Sequence, residues 1–335
     1  MLLSVNNLEV AFPAGALFAR RSIRAVAGVS FAIDAGETFA LVGESGCGKT
    51  TLARAINGLQ PVADGEVVFA GERIDKLSRA ALRPVRRHMA LMFQDPLGSL
   101  SPRMKVGDLV AEPFCIHGVQ VDLRAETMRL LSLVGLSSDL AARYPHQLSG
   151  GQARRVGVAR AIALNPRLII ADEPTAGLDV SVQGEVLNLL NDLREKLNLA
   201  ILIITHNLHV VRHIADSMAV MYLGRIVESG DTRDLFNAPA HPYTAALLSA
   251  SPSPNPEHAR NRIALPAETP SLLARPPGCE FHTRCPWAQP QCATDAPPTV
   301  DAHGGGDGDG DGDARRVTCH YPLEPNATQC GGKHD

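Results

Sequence analysis

The chain has 335 residues, 45% hydrophobic and 20% charged, which gives it the length for two domains and the composition for a sizeable core. A formal net charge of −3 argues against a mainly electrostatic nucleic-acid binder. The opening MLLSVNNLEV lacks a basic n-region, and the longest apolar runs, such as LAILII from Leu199, are far short of the roughly 18–20 residues of a membrane span. A soluble, cytosolic protein is expected.

The first 90 or so residues alternate short β-rich runs with glycine turns: LLSVNNLEVAF, GVSFAIDAGETFALVG and GEVVFAGERI. A helix is predicted from Gly48, stopped by Asn57-Gly58, and a strand MALMF ends at Gln94. From about Pro96 to Tyr144 the pattern is helical and strand-poor, which reads as an insertion. Strand–helix units follow: RLIIADEP, a helix across SVQGEVLNLLNDLREKL, AILIIT, a helix from Asn207, then SMAVMYLGRIVES. RLIIA and AILIIT are apolar throughout, as strands covered on both faces should be. From Ser251 the chain turns proline-rich and reads as a linker to a tail.

GESGCGKT, residues 43–50, fits G-x-x-x-x-G-K-[ST] between a strand and a helix. Backbone N–H groups of such a loop converge on phosphates, and the helix N-terminus adds partial positive charge. Gly43, Gly46 and Gly48 allow close approach; Glu44, Ser45, Cys47 and Thr51 complete the loop and its exit. Lys49 would supply charge to the β- and γ-phosphates, and the Thr50 hydroxyl would ligate Mg²⁺. Cys47 reads first as a small filler, but a thiol at a helix N-terminus tends towards a lowered pKa, so sensitivity to alkylation with protection by ATP is expected. Asp172 and Glu173 end the strand LIIAD; the first can hold the Mg²⁺ shell and the second can polarise an attacking water. LSGGQ, residues 148–152, opens a second helix on a Ser-Gly-Gly turn, another anion site. One nucleotide has a single γ-phosphate, so two such helix ends suggest a site shared between two chains.

The phosphate loop, Gln94, LSGGQ, ADEPT, AGLD and ITH, in that order over about residues 1–250, resemble the ABC-type ATPase domains. The resemblance implies an α/β P-loop NTPase fold: a RecA-like core with an antiparallel β subdomain and a helical subdomain at about 96–165. A small cysteine-containing domain would follow at 251–335. It implies that Gln94 reaches Mg²⁺ or the attacking water and couples to the membrane partner. Ser149, Gly150 and Gly151, with Gln152 beside them, would cap ATP held by the opposing protomer. Glu173 would be the catalytic base, His206 the switch histidine at the γ-phosphate, and Asp179 part of the D-loop between protomers. An adenine-stacking aromatic should lie upstream; Phe12 is preferred over Phe18. The chain departs from the family's Ser-Ala-Leu-Asp, having Ala176-Gly177-Leu178-Asp179.

MFQDPLGSLSPRMKVGDLVAEP, HPYTAALLSASP and GCEFHTRCPWA resemble the ATP-binding subunits of dipeptide/oligopeptide ABC importers, and more closely the second, F-type, of the two. That implies ATP and Mg²⁺ as ligands and, as partner, a second and related ABC ATPase. It also implies two transmembrane permease subunits, an extracytoplasmic peptide-binding protein, and a peripheral place on the cytoplasmic face of the membrane. A nickel, glutathione or other small-solute importer is the alternative within transport; a soluble non-transport ABC ATPase is the alternative outside it.

The seven cysteines, an odd number in a cytosolic chain, argue against a disulfide framework. Cys279, Cys285, Cys292 and Cys319 are spaced C-x₅-C-x₆-C-x₂₆-C, without the paired C-x₂₋₄-C knuckles of zinc sites. Iron–sulfur clusters take four thiolates at more varied spacing. The resemblance adds that tails of this subfamily can carry a [4Fe–4S] cluster on such cysteines. Zinc, with His282 or His320, and unmetallated thiols stay open. The Gly-Asp tract before Arg315 reads as a flexible solvated loop, since calcium-binding repeats have another period and recur.

Overall fold

The computed structural model describes residues 1–14, 21–92, 95, 98–251, 262–266, 268–302 and 315–324. From the N-terminus, β1 (Leu3–Ala14) and β2 (Arg21–Ile33) form a long antiparallel pair, after which the chain enters the core as β3 (Thr38–Val42). The helix α1 (Lys49–Ile56) leaves β3 through the glycine loop. Then β4 (Asp64–Phe69) and β5 (Glu72–Arg73) return to the first pair, completing a four-stranded antiparallel sheet of order β2-β1-β4-β5. The short α2 (Leu82–Arg86) leads into β6 (Met89–Met92).

The expected insertion is helical: α3 (Val106–His117), α4 (Leu123–Leu133) and α5 (Gly150–Ile162). Asp122 starts α4 by accepting hydrogen bonds from the Arg124 and Ala125 amides. The apolar faces of α3, α4 and α5 share one hydrophobic core with β7 (Leu168–Asp172), α6 (Val180–Leu197) and β8 (Ala200–Thr205). That common core, through residues such as Leu109, Leu130, Val156, Ile169 and Leu190, fixes the insertion onto the body.

After α7 (Leu208–Ile214) come the hairpin β9 (Ser217–Tyr222) and β10 (Arg225–Asp231), then α8 (Thr232–Asn237) and α9 (Pro242–Ala250). Every residue of β3, β7 and β8 is buried, because helices and the antiparallel sheet cover both faces. β6, β7, β8, β3 and β9 run parallel, which leaves the β3, β7 and β8 C-terminal ends side by side at one edge. Ligands gather at such ends in open parallel sheets.

The tail holds α10 (Pro290–Thr294), β11 (Thr299–Asp301) and β12 (Arg316–Thr318). β12 pairs antiparallel with β10 and β11 with β12, so the larger sheet has the order β11-β12-β10-β9-β3-β8-β7-β6. Among the described residues the tail closes no sheet of its own. It extends the central one. No described helix is long and apolar enough to cross a membrane.

Candidate ATP site

The phosphate loop leaves β3 at Val42 and enters α1 at Lys49, with Gly48 as helix cap at φ 110°. A Cβ on Gly48 would lie 2.2 Å from the Ala25 carbonyl oxygen, and one on Gly43 2.2 Å from that of Met221. Neither position admits a side chain while the loop lies against β2 and β9. Lys49 is buried, and its Nζ donates to the carbonyl oxygens of Gly43 (2.7 Å) and Glu44 (2.9 Å). Gly43–Gly46 and Gly48–Thr51 line a cavity of about 550 Å³, and Asp172, Glu173 and His206 line it too.

Cys47 is the exception within the loop. It is buried in the hydrophobic cluster under α1, and burial pushes its thiol up despite the nearby Lys49. The expectation of a lowered pKa is therefore corrected: desolvation outweighs the attraction of Lys49.

The acidic pair lies where β7 ends. Thr50 hydrogen-bonds to the Asp172 carboxylate, whose Oδ1 is buried without a partner among the described residues. A hydroxyl beside an under-coordinated carboxylate oxygen is a donor set suited to a hard cation such as Mg²⁺. Glu173 takes the left-handed conformation, φ 52°, with its amide donating to the Ile204 carbonyl at 2.8 Å. This backbone turns the side chain out of the sheet, at the cost such conformations carry. Its Oε1 is 2.7 Å from His206 Nδ1, and since a carboxylate only accepts, Nδ1–H donates. The phosphate loop, Thr50, the acidic pair and His206 thus share one cavity.

The LSGGQ residues do not line it. Ser149 caps α5: its Oγ accepts from the Gln152 amide at 3.2 Å, and Gln152 Oε1 accepts from the Ser149 amide at 3.0 Å. Gly150 and Gly151 follow in the first turn. Asp179 is exposed and caps α6 without a side-chain bond. Phe12 packs against the core below the antiparallel sheet and does not line the cavity. Gln94 and Phe18 lie outside the described residues. Sequence reasoning missed Arg154. Its buried guanidinium donates to the carbonyls of Glu173 (3.3 Å), Pro174 and Ala176 (2.9 Å), tying α5 to the turn that carries the acid.

Residues 26–176 match the ABC transporter family, and residues 227–292 match the family described as the oligopeptide/dipeptide transporter C-terminal region. The chain is 44% identical over 308 residues to the oligopeptide transport ATP-binding protein OppF of Haemophilus influenzae, covering 89% of this chain and 93% of that one. It is 43% identical over 308 residues to the dipeptide transport ATP-binding protein DppF of Escherichia coli, covering 91% and 92%. The chain belongs to the ATP-binding subunits of oligopeptide/dipeptide ABC transporters. Its fold is that of the ABC ATPases. A solved dimer of an ATP-binding cassette in a post-hydrolysis state, bound to ADP and Pi, superposes with a TM-score of 0.63 at 27% identity, over 69% of this chain and 99% of that one.

The oligopeptide/dipeptide transporter C-terminal region contains three of the four tail cysteines, and Cys319 follows β12. The four are close enough for their thiolate charges to repel. Burial pushes the Cys279, Cys285 and Cys319 thiols up, Cys285 to about 12 and Cys319 to about 11, and neighbouring cysteines add to the rise. His282 Nδ1–H donates to the Cys279 carbonyl at 2.8 Å, and His320 Nε2–H to that of Asp295 at 2.9 Å. Among the described residues no three His, Cys, Asp or Glu side chains are placed to hold a single metal ion. This ABC ATPase also uses its tail at the phosphate loop. Arg284, beside Cys285, donates from Nη1 and Nη2 to the two Glu44 oxygens at 2.8 and 3.0 Å. Nothing in the sequence pairs these residues across 240 positions.

Proposed function

We propose that this ATPase powers the uptake of di- and oligopeptides as the F-type member of an importer. It would pair with a second, related ATPase beneath two membrane permeases, peripheral to the cytoplasmic face, with peptide delivered by an extracytoplasmic binding protein. The observation that carries the catalytic reading is the Glu173–His206 hydrogen bond beside the phosphate loop. The names of the curated relatives support the substrate class.

Lys49 and the loop amides bind the triphosphate, and Gln94 and Glu173 orient the attacking water. Glu173 takes a proton from that water as oxygen attacks the γ-phosphorus and the bond to ADP breaks. His206 holds the carboxylate in position and contacts the γ-phosphate. Thr50 and Asp172 would hold Mg²⁺, which when bound would supply positive charge to offset that of the phosphates. That Ser149, Gly150 and Gly151 lie away from their own chain's cavity supports the reading that they serve the partner's ATP, with Asp179 at the same interface. Glu173→Gln should lower ATP hydrolysis by about 10²–10⁴-fold while ATP binding persists, and reconstituted transporter carrying it should lose peptide uptake. Uptake of nickel or glutathione rather than peptide would move the assignment to another solute.

Cys279, Cys285, Cys292 and Cys319 would hold a [4Fe–4S] cluster as a structural cross-link of the tail. The mutual proximity of four thiols, two of them buried and two half-buried, supports this reading. Anaerobic reconstitution with iron and sulfide should give a brown protein whose visible absorption is lost in Cys285→Ser. Colourless protein under those conditions would remove the cluster from the assignment.

A further inference from the structure

Glu44 is the second residue of the phosphate loop and one of the residues lining the cavity. A carboxylate there is at odds with a site for a polyanion: unpaired, it repels the phosphates that Lys49 attracts. The tail answers it. Besides the two-pronged contact from Arg284, the Thr269 hydroxyl donates to Glu44 Oε2 at 2.5 Å. Planar, two-pronged guanidinium–carboxylate pairing is the geometry that only arginine supplies.

Arg284 is held rigidly for this role. Its side chain is 7% exposed, and its guanidinium lies over the Tyr222 ring, 5.9 Å from the centroid. Its turn is plugged into the body by Phe281, which is buried edge-on against Tyr222, with ring centroids 5.3 Å apart, and against Tyr243 at the same distance. The Tyr243 hydroxyl also accepts the Glu44 amide at 3.0 Å, so backbone and side chain of Glu44 are fixed at once. The same tail segment sends Leu272 to the cavity wall. Burial alone would push the Glu44 carboxyl up; hydrogen bonds from Arg284 and Thr269 reverse this and hold it below its ordinary value.

We propose that the C-terminal segment completes the nucleotide site of its own chain. Arg284 is a positioning residue that clamps Glu44 and cancels its charge, so that the phosphate loop accepts the triphosphate. This rests on the reading that the cavity binds ATP. It goes beyond that reading in making the tail, whatever its cysteines carry, part of the site.

The test is equilibrium binding of fluorescent ATP and ADP analogues with Mg²⁺ to the full chain, alongside thermal melting. Binding by the wild type and its loss in Lys49→Ala establish the site; if the wild type binds neither nucleotide, the reading of the cavity fails before the inference is reached. Arg284→Met should weaken ATP about tenfold, ADP less, with the loss shrinking at high salt. The double variant Glu44→Gln/Arg284→Met, which removes both charges together, should recover most of that affinity. It also gives the readout if the single variant does not fold. Unchanged affinity in Arg284→Met would overturn the inference. So would equal losses for ATP and ADP, or a double variant as weak as the single one, since a purely architectural contact behaves in those ways.

Discussion

Burial at the end of β7 strips Asp172 of water, and with Oδ1 unpartnered among the described residues its carboxyl is pushed up from its ordinary value; Thr50 lowers it only in part, and Glu173 adds to the rise. A raised acid binds its proton more tightly folded than unfolded. Its burial therefore costs stability as pH climbs from the unfolded value through the folded one, and the cost is complete above both. Asp172→Asn should accordingly melt at a higher temperature than the wild type at neutral pH and show no such gain below the ordinary aspartate range. The same variant should lose Mg²⁺-dependent hydrolysis, and Mg²⁺ should raise the melting temperature of the wild type only. Calorimetry across pH with and without Mg²⁺ reads all of this; a variant no more stable at neutral pH would show that the carboxylate is compensated in a way the hydrogen bonds do not reveal. A site residue that weakens its fold is a common trade between stability and activity.

At the level of elements, α5 is fixed to the acidic turn by a single buried side chain. Arg154 satisfies the carbonyls of Glu173, Pro174 and Ala176, while burial pushes its guanidinium towards lower pKa. Arg154→Met should cost about 3 kcal/mol in denaturant unfolding and reduce hydrolysis as well, because the turn beneath Glu173 loses its support. A loss of stability without loss of activity would show that the turn holds its shape unaided. The elements themselves are legible in the sequence. The apolar runs at β7 and β8, the glycine loop before α1 and the Asn207 cap of α7 declare themselves over a few residues, because strand burial and helix capping are local. The antiparallel sheet reads only as alternating strands, since pairing of β1 with both β2 and β4 is a property of three segments together. Arg154 stands inside a helix that the sequence declares, yet a lone arginine there reads as a solvated charge. Arg284 and β12 are beyond reach for the same reason: their partners, Glu44 and β10, are selected by packing across the whole fold rather than by spacing.

Over the whole molecule, ion pairs of unequal burial knit the tail to the body, Arg225–Glu280 at the surface among them. Arg284–Glu44 meets it at the cavity, and Arg315–Glu228 lies in the interior, with Arg315 also donating to the Ala238 carbonyl. Glu228 is fully buried and further accepts the amides of Ala240 and His241 at 2.8 and 3.0 Å. A charge so enclosed is tolerable only with its counter-ion in place. His241, also enclosed, stays neutral, its pKa pushed down by burial to about 3, and its Nδ1 accepts the Tyr243 amide at 3.0 Å. The larger sheet thus depends on residues separated by much of the chain: β10 supplies the acid, and the segment entering β12 supplies both the covering strand and the base. On the ribosome this order matters. The ATPase motifs have all emerged by His206, but β10 keeps an open edge and an unmatched carboxylate until residues 315–318 are made. A nascent chain in that interval carries the ATPase motifs while its sheet is still free to pair with a stranger, so quality control acting on this protein has its natural window there.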